Sequence, residues 1–282
     1  MGAEVEDHEK LHEFLRQFYY NELLQLTKEE KPSLVVDFNI LDRFDPVLAE
    51  KMLEQPISIF ESFEKALSLF DIGVKMPVRI KNIPEKKNIR LRNLRAEHIG
   101  KLLVTDIIVK SASEVKPQIA TAVFECPECM TRIDVEQEDA QLLQKPGMCK
   151  CGRRGEFPLV EKKMIDFRWL KGVEPFEVTT GEQPSELAVL LLEDLTTPKM
   201  QKKTDPGNRL RVVGILKELP KRIKGKMTTK MDTFIDANYV ESTEVEFEDL
   251  TPTPEDEARI LSLAHDSKVY DKLKNSIAPG LY

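Results

Sequence analysis

The sequence predicts an α+β protein built in parts: an N-terminal helical bundle, a small β-barrel or sandwich carrying a metal-binding insertion, and a C-terminal helix. Three observations predict it. Apolar residues recur at helical spacing through roughly the first 70 positions, short β-type runs take over from Val74, and all four cysteines lie between positions 126 and 151. A chain of 282 residues with 41% apolar side chains can bury a sizeable core. No run approaches eighteen apolar residues, and the N-terminus "MGAEVEDHEK" is acidic rather than a basic leader, so a soluble cytoplasmic protein without a membrane partner is expected. The formal net charge of −7 argues against a surface coated with nucleic acid, so any polyanion-binding region must be local.

The elements follow in order. "HEKLHEFLRQFYYNELLQL" (8–26) places Leu11, Phe14, Leu15, Phe18, Leu23 and Leu26 at mostly helical spacing and predicts one amphipathic helix. "SLVVDF" reads as a short strand. In "FDPVLAEKMLEQPISIFESFEKALSLF", Asp45 is the expected N-cap and Pro46 the first helical residue, while Pro56 breaks the stretch into two helices. From Val74 come the β-type runs "VKMPVRIKNI", "KLLVTDIIVK", "TAVFEC", "LAVLLLE", "RLRVVGIL" and "MDTFIDANYV", separated by turns such as "DPGN". Near the end, Thr253 as N-cap, Pro254 at the first helical position and Asp256 three residues after the cap open a helical pattern.

The cysteines form two close pairs, Cys126-x2-Cys129 and Cys149-x-Cys151, with nineteen residues between them. Thiol pairs on turns bring four sulfurs to the corners of a tetrahedron about 2.3 Å from Zn²⁺, the layout of a zinc ribbon. Two disulfides, an iron–sulfur cluster or four unrelated thiols are the alternatives. No histidine lies inside the window to complete an open catalytic site, so one structural zinc per chain is expected. The one-residue spacer in "CKC" is tighter than the usual knuckle.

Positive charge concentrates in "PKRIKGKMTTK". Positions 217–230 hold six Lys or Arg residues (Lys217, Lys221, Arg222, Lys224, Lys226, Lys230) against one acid, Glu218, whereas positions 241–257 hold eight acids and no base. This separation puts a cationic β-hairpin, turning near Gly225, on an acidic protein. Such a hairpin tracks a phosphate backbone without reading sequence; the bland alternative is a solvated loop kept soluble by its lysines. Only Phe234 and Tyr239 lie nearby, so phosphate contact fits better than base stacking. His8, His12, His98 and His265 are dispersed without catalytic partners, and Trp169 reads as a core anchor.

The ordered parts and several local stretches resemble the N-terminal region of archaeal minichromosome maintenance (MCM) proteins, the replicative DNA helicases. "IRLRNLRAEHIGKLLVTDIIVKSASEVKP" looks like that family's lead into its OB-fold barrel, "ELAVLLLEDLTTPKMQKKTDPGNRLRVVGIL" like its later strands, and "NSIAPGLY" like the approach to its ATPase domain. The resemblance implies a helical subdomain (1–73), an OB-fold (74–122 and 160–250) interrupted by a zinc ribbon (123–159), and a linker helix (251–282) toward an ATPase domain that this chain lacks. It implies DNA contacts for Lys221, Arg222, Lys224, Lys226 and Lys230 on a hairpin in a central channel, for Lys110 on a barrel strand, and for Arg209 and Arg211. It implies that Thr197, Lys199, Gln201, Lys202 and Asp205 belong to a loop facing the ATPase tier. The implied partners are DNA, bound largely without sequence preference, copies of the same chain in a hexamer or double hexamer, and other replication proteins, in the nucleoid of a prokaryotic cell.

Two positions depart from the family pattern. Ile107 stands where relatives commonly carry Gly, and Ser185 stands where many carry Arg, which removes a possible phosphate contact. The pattern G-x-x-x-x-G-K-[ST] is absent, so this chain is not expected to be an enzyme, although an ATP-binding helicase is implied for a longer parent. A generic OB-fold and zinc-ribbon single-strand binder, or a zinc-stabilised protein adaptor, are the rival functions.

Overall fold

The computed structural model describes residues 2–26, 33–70, 76–137, 143–175, 183–223, 226–243, 261 and 269–270, with the backbone alone for 2–6, 220–223, 226–228 and 230. The chain divides into two compact units, Met1–Thr243 and Glu244–Tyr282. In the second, Leu261, Val269 and Tyr270 are helical; the rest of the expected C-terminal helix lies outside the described residues.

The first unit opens with helices α1 (Gly2–Phe18) and α2 (Tyr20–Leu26) rather than a single helix. The interruption is Tyr19, whose ring is buried and whose hydroxyl accepts a 2.9 Å hydrogen bond from the Asp37 backbone N–H. Strand β1 (Leu34–Asp37) leads into α3 (Phe38–Phe44), where the Asp37 carboxylate caps the helix at Asn39 N–H. Asp45 then caps α4 (Pro46–Glu54) by accepting from Val47 and Leu48 N–H at 2.9 and 3.2 Å, and Pro56 starts α5 (Pro56–Ser68). Leu11, Phe14 and Leu15 of α1 meet Met52 of α4 and Ile59 and Phe63 of α5 in one buried cluster.

Strand β2 (Val78–Lys81) pairs in parallel with β1, and Val78 and Ile80 join the same cluster. The first β-type run after Val74 therefore completes the helical part instead of entering the larger sheet. Its other edge meets an amide: Asn238 Oδ1 accepts from Ile80 N–H at 2.7 Å, and Asn238 Nδ2 donates to the Val78 carbonyl at 2.8 Å. Arg79, buried, pairs with Asp194 beside it.

Seven strands form the main sheet: β3 (Leu102–Ala112), β4 (Lys116–Glu125), β5 (Arg132–Glu136), β6 (Leu159–Val173), β7 (Glu186–Leu192), β8 (Arg209–Ile223) and β9 (Lys226–Ser242). Their order is β3-β8-β9-β7-β6-β4-β5, and a further β3–β6 pairing returns the ladder to its first strand. The result is an OB-fold-like sheet in a mixed α+β protein. All its pairs are antiparallel except β7–β9. A second core fills its inner face with Leu103, Ile107, Leu170, Val189, Val212 and Ile235.

Two glycines mark close approaches. A Cβ on Gly172 falls 2.7 Å from Ile107 Cδ1, so the bulk of Ile107 is matched by the absence of a side chain across the β3–β6 pair. A Cβ on Gly214 falls 2.5 Å from the Asp236 carbonyl oxygen, next to a bulge in the β8–β9 register. Between β7 and β8 a 3-10 turn (Glu193–Thr196) and helix α6 (Pro198–Lys203) carry the connection. Strand β6 is long enough to serve two ladders, pairing with β3 and β7 through 167–173 and with β4 through 159–167. Its first half, with β4 and β5, forms the platform for the cysteine window.

Candidate metal centre and nucleic-acid interface

The four thiols converge. A third small core of Ala122, Phe124, Cys126, Cys149 and Phe157 anchors them to β4 and the approach to β6. Thr131 accepts at its carbonyl from Cys126 N–H, and Met130, at φ 54°, closes the turn by donating to the Cys126 carbonyl. At the second pair Gly152, at φ 91°, donates to the Cys149 carbonyl at 2.9 Å. That turn, open to glycine without strain, accommodates the one-residue spacer of "CKC".

All four sulfurs lie within 4.8 Å of one another, with Cys126–Cys151 at 3.7 Å and Cys129–Cys149 at 3.5 Å. Four thiolates about 2.3 Å from a tetrahedral Zn²⁺ stand about 3.8 Å apart, so the donor set fits such an ion. Proton energetics agree. Hydrogen bonds from Thr131, with further help from Cys149 and Cys126, hold Cys129 down at about 6. For Cys151 the Arg153 backbone N–H lowers the value, but Cys129, burial and the remaining sulfurs push it up to about 12. Ionisation is favoured at Cys129 and disfavoured at Cys149 and Cys151, a balance that a bound dication shifts toward the thiolates.

The basic hairpin is a two-stranded ribbon. β3 pairs with β8 only through Ile215, and β7 pairs with β9 only through Phe234–Asp236. Beyond those points, 217–223 and 226–233 pair only with each other among the described residues. At about 3.3 Å per residue this free arm extends about 20 Å. Lys221, Arg222, Lys226 and Lys230 lie on it by backbone position, while Lys224 lies outside the described residues. Lys217 at its base is paired with Asp236 at 2.6 Å.

The other sequence-selected cations are partnered. Arg211 binds Asp106 at 3.0 Å and Glu85 at 2.8 Å, and Arg209 opens β8 opposite Ile108. Lys110 is bonded to Glu186, which also binds Lys171 at 2.5 Å; the two ammonium groups hold the Glu186 carboxyl at about 2. These side chains border an open hollow of about 620 Å³ lined by Ser111, Ser113, Trp169, Leu187 and Ala188. Trp169 meets Phe234 edge-on at 5.3 Å but is only half-buried and belongs to none of the buried clusters, so it forms a wall of the hollow and not the core anchor expected of it. His98 accepts from Arg95 N–H, and His12 lies 4.5 Å from the Phe70 ring, both local packing roles.

The loop of Thr197, Lys199, Gln201, Lys202 and Asp205 is ordered by a residue that the sequence reading passed over. Arg168, buried on β6, donates to the Ser113 carbonyl (3.0 Å), the Gln201 carbonyl (3.1 Å), Thr204 Oγ1 (2.8 Å) and Asp205 Oδ1 (2.9 Å). The available signal was an arginine set between the aromatic residues Phe167 and Trp169. Lys199 and Lys202 remain exposed, and Thr197 Oγ1 donates to the Asp194 carbonyl at 2.9 Å.

With this geometry in hand, comparison with known proteins is decisive: the model of the MCM N-terminal domain matches residues 8–94, and that of the MCM OB domain matches 89–220. The chain belongs to the MCM family. It is 29% identical over 94% of its length to the minichromosome maintenance protein MCM of Saccharolobus solfataricus, covering 40% of that protein. It is 28% identical to the DNA replication licensing factor MCM2 of Oryza sativa subsp. japonica, over 94% of this chain and 29% of that relative. A crystal structure of the N-terminal domain of an archaeal MCM superposes with a TM-score of 0.72 at 25% identity, over 86% of this chain and all of the other. The MCM chain described here thus spans well under half the length of these curated relatives. No described helix is long and apolar enough to cross a membrane.

Proposed function

We propose that this chain is the DNA-binding and ring-assembly region of an MCM replicative helicase, with the sheet closed as an OB-fold barrel, one zinc ion on Cys126, Cys129, Cys149 and Cys151, and an ATPase domain supplied elsewhere in the parent protein. The carrying observation is the free arm of the β8–β9 ribbon, which places Lys221, Arg222, Lys226 and Lys230 beyond the sheet on a chain of net charge −7. A cationic protrusion on an acidic body directs a polyanion to one place and keeps the rest of the surface from holding it. Zinc supplies fixed geometry to a module with a very small core, not chemistry, because all four ligand positions are filled by protein sulfur.

Within this reading the helical part (1–73) is peripheral, the zinc module (123–159) meets neighbouring chains, and the loop at 197–205 faces the ATPase tier. Lys110, Arg209 and Arg211 form a secondary DNA face whose charge is already partly compensated. The test is a chain with Lys221, Arg222, Lys224 and Lys226 all changed to Ala. Affinity for a labelled oligonucleotide should fall about tenfold or more at ~0.1 M salt, and the salt slope should flatten. Unchanged binding rules out the hairpin as the main contact. Light scattering with and without DNA distinguishes a ring from a monomeric single-strand binder.

A further inference from the structure

Three strands bring three charges to the mouth of the hollow beside Trp169. Ser111 of β3 stands opposite Lys171 of β6, and Val173 of β6 stands opposite Glu186 of β7, so Lys110, Lys171 and Glu186 meet at one end of the sheet. Glu186 bonds both ammonium groups. The side chains of Lys110, Lys171 and Glu186 keep 54%, 51% and 35% of their exposure, and ion pairs this wet add little to stability. Their effect is on charge: two cations are reduced to a net +1, with the carboxylate seated where an incoming oxyanion has to go. Behind them lies an open hollow with largely apolar walls, built by Trp169, Leu170, Leu187 and Ala188.

We propose that Glu186 is a specificity-determining residue of this face: it stands in for a phosphate on Lys110 and Lys171, and single-stranded nucleic acid enters the hollow only when a phosphodiester displaces it. The inference rests on the reading of Lys110 as a DNA contact and adds an antagonist to it. An unpaired strand satisfies both halves of the site, offering an oxyanion to the lysines and the face of a free base to the apolar wall. A duplex offers only the oxyanion. Because its two lysine partners keep Glu186 ionised far below neutrality, displacement and not protonation is what clears the lysines. Initial capture then falls to the hairpin, where positions 219–231 hold five Lys or Arg residues and no acid.

Glu186→Gln keeps the size of the side chain and removes its charge. Anisotropy titrations of a fluorescent oligothymidylate of about 30 nucleotides with the 282-residue chain over a salt series provide the readout. The variant should bind about three- to tenfold tighter at ~0.1 M salt, with a salt slope steeper by about one, since freed lysines make phosphate contacts of their own. Binding of a duplex should gain less. In a Lys110→Ala/Lys171→Ala background the Gln substitution should change nothing, because its action runs through those lysines.

The lysine pair tests the underlying reading separately. If the double alanine variant weakens binding while Glu186→Gln leaves it unchanged or weaker, the DNA face stands and the role given to Glu186 falls. Gain from Glu186→Gln that persists without the lysines is a general charge effect and also overturns the proposal. A double alanine variant that binds like the parent removes the DNA face itself and the inference with it. Thermal melting of each variant confirms that the compared chains are folded.

Discussion

At the scale of single residues, Ile107 and Gly172 illustrate how bulk on one strand is matched by a gap on the next. Ile107 is fully buried, and the space that its Cδ1 takes is the space that a side chain at position 172 needs. Gly172→Ala should cost about 1–3 kcal/mol by overpacking, and Ile107→Val in the same chain should restore part of it by removing the atom in closest conflict. Chemical denaturation of the two single variants and the double variant reads this as non-additivity. Gly214→Ala has no such remedy, because its nearest conflicts include the Asp236 backbone oxygen. It should lose about 3 kcal/mol or more, and changing Ile235 should not recover it.

At the scale of elements, side chains reinforce the ladders and tie the connections between strands to them. Arg168 holds the 3-10 turn and α6 connection to β6 and, through the Ser113 carbonyl, to the end of β3. Arg168→Lys keeps one charge but cannot reach four acceptors in a fixed fork, so amide exchange in 197–205 should rise clearly while exchange in α5 and β9 stays unchanged. Equal exchange in 197–205 for parent and variant contradicts this assignment. Asp106 joins β3 to Arg211 of β8 and Asn88: burial raises its pKa, but the Arg211 and Asn88 hydrogen bonds and the arginine charges outweigh this and leave it lowered. A lowered folded value means stability present above the unfolded carboxylate value of about 3.9 and lost as pH falls through the folded one. The melting-temperature gap between the parent chain and Asp106→Asn should therefore shrink below about pH 4, and a gap that persists there excludes the carboxylate as its cause.

These ties explain what the sequence made legible. The breaks at Asp45, Pro46 and Pro56 are local chemistry, and the structure has them in place; so does the convergence of four cysteines, because close pairs on turns constrain themselves. The split of the first helix falls at Tyr19, whose hydroxyl meets Asp37, and β2 is met along one edge by Asn238, which is 158 residues from Ile80. Neither partner is visible in a window of ten residues. Lys110 shows the same limit at the candidate site: its cationic character is read from one position, and its neutralisation by Glu186 comes from 76 residues away.

At the scale of the whole molecule, three apolar clusters divide the first unit: one between the helices, β1–β2 and one face of β3 and β8, one inside the sheet, and one beneath the cysteines. The third is much the smallest. Two of its five buried residues are cysteines of the candidate metal set, so without an ion it has only Ala122, Phe124 and Phe157, with partly buried neighbours, to hold the turns around four thiols. Stability in this chain should therefore be modular. Stripping the metal with a strong chelator, or replacing Cys149 by Ser, should open amide exchange in β5, the cysteine turns and the first half of β6, while α1, α5 and β8 keep the protection of the intact chain. About one equivalent of zinc should be released per chain. Because the free arm of the β8–β9 ribbon is rooted in the second cluster, the salt slope for oligonucleotide binding should survive this treatment. Global unfolding on chelation, by contrast, shows the three clusters to be one cooperative unit and the modular picture to be wrong.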